Sequence, residues 1–169
     1  MHRLNYAEFL EGKILDDRGR HVNEILQYDE NLLEKSHNYI QRMFPTDEQS
    51  TFAGILPALP DDIAKLRASD KAKETIRKMY GKMLAFWKLD GERYKDWGSD
   101  MKRDWNTPGN HNCLRMTRLL RCFKILGMGD EFTDFSMRVG YILKESAHDP
   151  SIMITPTTAS YWTLYMKKE

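Results

Sequence analysis

The chain has 169 residues, 41% of them hydrophobic and 30% charged, with a formal net charge of +1. That length accommodates one domain with a core large enough to stand without disulfides or metal, and so balanced a charge argues against a dedicated nucleic-acid binder, which needs a strong positive field or a local basic patch. No run of roughly eighteen apolar residues occurs, and the mixed amino terminus, MHRLNYAEFLEGK, lacks the apolar stretch of a secretory signal; no membrane span is expected, and the protein is expected to be intracellular and cytoplasmic.

Helical periodicity dominates and no alternating strand pattern or internal repeat interrupts it, so the expected fold is all-α. Residues 1–169 are expected to form a single-domain irregular bundle of about six or seven helices. A first segment around Tyr6, Phe9 and Leu10 runs into DDRGRH, where Asp17 and Gly19 suit a turn, and Val22, Ile25 and Leu26 restart a short helical pattern. A longer helix then spans roughly Asp29 to Phe44, stopped by Pro45. On its projection Leu32, Leu33, Tyr39, Ile40, Met43 and Phe44 form one apolar arc, with His37 at the edge, facing inward or nearly so, and Gln41 just outside. The loop TDEQSTFAGILPALP ends with Pro60 near the start of a short DDIAKLRA helix. Ser69 or Asp70 suits the cap of the next helix, whose Ala72, Ile76, Met79, Tyr80, Met83 and Trp87 make one stripe, ending by Asp90 and Gly91.

From Gly91 to Asn110 the sequence GERYKDWGSDMKRDWNTPGN is too rich in glycine, aspartate and asparagine for one long helix. Tyr94, Trp97 and Trp105 interleave there with Lys95, Lys102 and Arg103, a combination suited to stacking on a base or clamping a peptide. Glu92, Asp96, Asp100 and Asp104 nearly balance those cations, which suits aromatic rings pinning an ordered loop to the core. Long irregular loops are uncommon in compact domains and often functional, which makes this segment a candidate lid.

Asn110 then suits an N-cap for HNCLRMTRLLRCFKILG, with Gly127 as the stop. Cys113, Met116, Leu119, Leu120, Phe123 and Leu126 fall on its apolar side, whereas His111, Arg115 and Arg118 form a cationic stripe bordering that side, continued by Cys122. Such arginines hold phosphate or carboxylate in bidentate fashion, and the N–H groups near His111 and Asn112 add positive potential. The alternative is pairing of Arg115 and Arg118 with carboxylates of a neighbouring helix. Cys113 and Cys122 lie nine positions apart, about 180° around a helix, and are expected to stay reduced and unpaired.

Two patterns carry a family resemblance: His-x-Tyr-Ile-Gln-x-x-Phe-Pro at His37, Tyr39, Ile40, Gln41, Phe44 and Pro45, and His-Asn-x-Leu-Arg-x-Thr-Arg at His111, Asn112, Leu114, Arg115, Thr117 and Arg118. With the helical YGKMLAFWKL between them, the chain resembles the conserved domain of the opioid growth factor receptor family, from about Phe9 and Gly12 through Ser160 to Trp162. It departs from the usual pattern at Arg42, where an aromatic such as tryptophan is common, and at TFAG, which replaces an asparagine-containing loop. The resemblance implies a helical domain named for binding a methionine-enkephalin-type peptide, with a nuclear association in animals, and it implies no known reaction.

Two functions follow as expectations. In the first, a stand-alone binding module takes a small anionic ligand or a peptide carboxylate in a polar cleft formed by His37, Gln41, Arg115 and Arg118, with His111 and Asn112 at the helix start; a protein partner also suits such a module. In the second, the same cleft is an enzyme site for a phosphorylated or nucleotide-like substrate, with His37 as general acid or base. No H-E-x-x-H, C-x-x-C, Walker-type glycine loop or G-x-S-x-G turn is present, which favours binding over catalysis and points to no metal or cofactor.

Overall fold

The computed structural model describes residues 3–50, 54–91 and 107–167. Every regular element among these is helical, as the periodicity predicts. Their packing divides into two units, Met1–Met83 with Ile125–Gly127, and Leu84–Lys124 with Met128–Glu169.

The first unit opens with α1 (Tyr6–Leu10), capped by the Asn5 side chain, and α2 (Val22–Leu26), capped by the His21 imidazole. His21 Nδ1 accepts the Asn23 N–H at 3.1 Å, so its proton sits on Nε2, which donates to Gly12 O at 3.1 Å. Gly12 itself has φ +75°, a left-handed conformation that glycine adopts at least cost.

The long helix expected over residues 29–44 is broken. It consists of α3 (Glu30–Lys35) and α4 (Ile40–Met43), with Ser36 extended at φ −83°, ψ 123° between them. Ser36, His37 and Asn38 are weak helix formers whose side chains compete for backbone partners. The Tyr39 hydroxyl donates to Leu33 O at 3.1 Å, supplying a partner that continued helix would have supplied. Leu33, Tyr39, Ile40, Met43 and Phe44 of the expected arc are buried, but the break leaves Leu32 and His37 exposed and buries Gln41 and Arg42.

Arg42 is 0% exposed, and its charge is answered by the DDRGR turn. Arg42 Nε and Nη2 donate to the two Asp17 carboxylate oxygens at 2.6 and 2.7 Å, and Nη1 donates to Asn38 O. Asp16, 3.6 Å from the same guanidinium, accepts the Arg18 and Arg20 N–H groups at 2.9 Å each and Arg20 Nε at 2.8 Å. Arg20 Nη1 donates in turn to Asn38 Oδ1 at 2.8 Å. The turn, the helix break and α4 are thereby one polar assembly.

The chain continues into α5 (Pro60–Ala68), with Pro60 in its first turn and Asp62 accepting the Leu59 N–H at 2.9 Å. α5 packs on α1. Ser69 Oγ caps α6 (Asp70–Phe86) by accepting the Ala72 N–H at 3.1 Å, and it donates to Glu11 at 2.6 Å. Ala72, Ile76, Met79, Tyr80 and Met83 are buried as predicted. The boundary between the units falls within this helix, after Met83.

In the second unit α6 ends in a Schellman turn: Leu89 N–H donates to Leu84 O at 2.8 Å and Lys88 N–H to Ala85 O at 3.1 Å. Lys88 occupies the left-handed position, φ 59°, that glycine fills most easily, as Gly127 does at φ 67° after α7 (His111–Ile125). Two helices beyond those delineated from the sequence complete the unit. α8 (Gly129–Ser146) buries Phe132, Phe135, Val139 and Ile142 on one face, and α9 (Pro156–Met166), capped by Thr155, buries Trp162. α8 packs against α9. Phe135 centres the core, stacked on Trp87 with ring centroids 6.1 Å apart and edge-to-face with Phe123 at 6.3 Å. Arg138 of α8 pairs with Asp134 at 2.9 Å and donates to Leu89 O and to Gly91 O, the latter at 3.2 Å, fixing the turn after α6.

Two predictions come from this architecture. Arg42→Ala is expected to cost about 3–5 kcal/mol in chemical denaturation, because Asp16 and Asp17 lose their buried cation. Burial alone raises the Asp17 carboxyl, but the hydrogen bonds and charge of Arg42 outweigh it and hold the group below its ordinary value. The Asp17 contribution is therefore full above the unfolded value of about 3.9 and is lost as pH falls through the lower folded value; wild type should lose stability more steeply below about pH 4 than Asp17→Asn. Lys88→Gly is expected to raise stability by about 1 kcal/mol, read from the thermal midpoint, by relieving a left-handed non-glycine residue.

Candidate functional site

The start of α7 holds a linked set of polar side chains. Asn110 Oδ1 accepts the Asn112 N–H at 2.9 Å, the cap expected from the sequence. Asn112 is buried, and its Oδ1 accepts both the Trp87 indole N–H at 3.1 Å and Arg115 Nη1 at 3.0 Å. Both partners are obligate donors, so the atom facing them must be oxygen and the amide orientation is fixed. Asn112 Nδ2 is then directed at His111 Nε2, 3.4 Å away, and that ring nitrogen serves as acceptor.

Arg115 is 4% exposed. The sequence places it on a stripe bordering the core; the structure places it inside, a correction that follows from the width of the buried arc. Residues 112, 113, 115, 116, 119, 120, 122 and 123 are all buried, an arc about 180° wide, with Cys113 and Cys122 at its two edges. Arg118, half-buried, stands just beyond it. Both cysteines are free thiols, and burial pushes them up, Cys113 to about 11; neither is an activated nucleophile.

His37 and Gln41 belong to the first unit. They do not form the expected pair four residues apart on one helix, because the chain is extended between α3 and α4. Gln41 Nε2 donates to Ser50 Oγ at 3.3 Å, while its buried Oε1 has no hydrogen-bond partner among the described residues. Tyr94, Trp97 and Trp105, the candidate lid, lie outside the described residues, as does most of TFAG. A feature the sequence reading missed is a depression of about 220 Å³ in the first unit, lined by Glu11, His21, Lys71, Glu74 and Lys78 among others. Its charges nearly cancel: Glu74 pairs with Lys78 at 2.9 Å and Glu11 with Lys13. The Asp16, Asp17 and Arg42 assembly was also missed, although the acidic pair opposite an unusual arginine was its signal. Among the described residues no three His, Cys, Asp or Glu groups could hold a metal ion, and no helix is long and apolar enough to cross a membrane.

These observations define an all-α protein whose polar groups are organised inside its helical units around buried arginines. A family model described as the opioid growth factor receptor (OGFr) conserved region matches residues 5–168, and the chain belongs to that family. It is similar to the opioid growth factor receptor of Homo sapiens, 32% identical over 124 residues, and to that of Mus musculus, 29% identical over 119 residues. These matches cover 65% and 63% of this chain and 18% of each relative, so the chain spans less than a fifth of the curated relatives it matches. No solved structure matches it.

The shared acceptor on Asn112 carries a prediction. Asn112→Ala is expected to destabilise the protein by roughly 2–4 kcal/mol in chemical denaturation, since an indole N–H and a guanidinium both lose their partner in the interior. Asn112→Asp keeps the acceptor and should cost less.

Proposed function

We propose that this chain is a binding module for a small anionic ligand or a peptide carboxylate, with the amino-terminal half of α7 as its recognition element. The observation that carries this reading is the charge of that helix: its fifteen residues include Arg115, Arg118, Arg121 and Lys124 and no aspartate or glutamate, in a chain of net charge +1. Its first turn, with His111 and Asn112, is the positive end of the helix dipole. The human and mouse relatives are named as receptors of a growth factor, and a binding role agrees with that name.

Calorimetric titration with inorganic phosphate, a nucleotide and a methionine-enkephalin-type peptide tests the proposal. Arg118→Gln is the discriminating variant, because Arg118 is half-buried whereas Arg115 is part of the interior. Affinity should fall about tenfold or more, the loss of a hydrogen bond between charged groups. If wild type binds none of the three probes, the reading is wrong; if Arg118→Gln binds as wild type does, α7 is not the recognition element.

A further inference from the structure

The depression of about 220 Å³ in the first unit combines an apolar lining with a set of charges that can be accounted for one by one. Leu10 and Val22, both buried, and the half-buried Leu26 supply the apolar part. Lys71, Glu74 and Lys78, at i, i+3 and i+7 of α6, supply one charged face, and Glu11, His21 and Asn23 come from the segment of α1 and α2. The carboxylates are committed: Glu74 pairs with Lys78 at 2.9 Å, and Glu11 pairs with Lys13 at 2.5 Å and accepts Ser69 Oγ at 2.6 Å. Lys13 and Ser69 hold the Glu11 carboxyl, and Lys78 the Glu74 carboxyl, below the ordinary value, with Lys71 a minor influence on each. Both ring nitrogens of His21 are engaged, one with the Asn23 N–H and the other with Gly12 O. The Lys71 ammonium and the Asn23 side-chain amide, both exposed, make no hydrogen bond or ion pair among the described residues.

We infer that this depression binds a small monocarboxylate with a short aliphatic or aromatic tail. The uncommitted lining groups are an ammonium and an amide, donors that receive a carboxylate, whereas both lining carboxylates already hold ammonium groups and leave no equivalent place for a cationic ligand. Leu10, Val22 and Leu26 take the tail, whose removal from water supplies the affinity that one exposed ion pair does not. A space of about 220 Å³ falls below the roughly 300–1,000 Å³ of pockets for drug-sized ligands, which keeps the tail short. A second negative charge on the ligand would meet Glu11 or Glu74, so the site selects a single one. The inference stands apart from the anionic-ligand reading, since the depression lies in the first unit and Arg118 in the second.

Titration of the full chain with hexanoate and with phenylacetate, followed by ligand-observed NMR, tests the site, with adipate and hexylamine as comparators of equal length and different charge. Saturable binding of at least one monocarboxylate is expected, weakened about three- to fivefold by Lys71→Met and weakened by added salt, as an exposed ion pair requires. Lys71 is exposed and unpaired, so Lys71→Met should unfold at the wild-type denaturant midpoint, and a lost affinity then reports the site and not the fold. Arg118→Gln should bind as wild type does. Absence of saturable binding by both monocarboxylates, binding of hexylamine or adipate as tight as theirs, or full affinity in Lys71→Met overturns the inference. Binding that Arg118→Gln removes and Lys71→Met retains overturns it in favour of α7.

Discussion

A guanidinium group moved out of water must recover its hydration from fixed acceptors, and each unit of this protein is organised around that requirement. In the first unit Arg42 is wholly buried, and the turn at Asp16 and Asp17, the carbonyl of Asn38 and the side chain of Arg20 are all disposed around it. In the second, Arg115 lies inside the packed arc of α7 and shares the oxygen of Asn112 with the Trp87 indole. Neither arginine can be read as surface charge. Their positions restrict the neighbouring backbone more than the surrounding leucines and methionines do, because hydrogen bonds have direction and apolar contacts do not.

Much of the helical architecture was legible in the sequence, for physical reasons that differ between elements. The stripe from Ala72 to Trp87 and the core side of α7 follow from apolar periodicity, which burial must respect. Pro60, Asn110 and Gly127 mark helix ends because each supplies a backbone geometry or a partner that the end lacks. The break at Ser36–Asn38 was not legible: the same residues project onto a continuous amphipathic helix, and tertiary partners, the Tyr39 hydroxyl and Arg42, decide against it. The paired placement of His37 and Gln41 fell with the break. Arg115 was misplaced by a small rotation, since a buried arc half a turn wide takes in a residue that a narrower stripe leaves at the border.

The outward face of α7 differs in kind from the inward one. The inward side combines apolar packing with one saturated amide, a rigid arrangement suited to holding an arginine still. The outward side carries half-buried cations, of which Arg121 lies 5.9 Å from the Tyr165 ring centroid and Lys124 Nζ donates to Lys167 O at 2.9 Å.

The assembly around Arg42 also bears on how the first unit comes together. Arg42 and Asp17 are 25 residues apart in the chain, so the charge cannot be answered by local structure formed early. A partly ordered state with α4 docked and residues 16–20 still loose would hold a cation in the interior before its counter-charges arrive, at a cost of several kcal/mol. Such half-formed species are therefore scarcely populated. The amino-terminal turn and the segment after the helix break order together, and the ion cluster acts as a source of folding cooperativity.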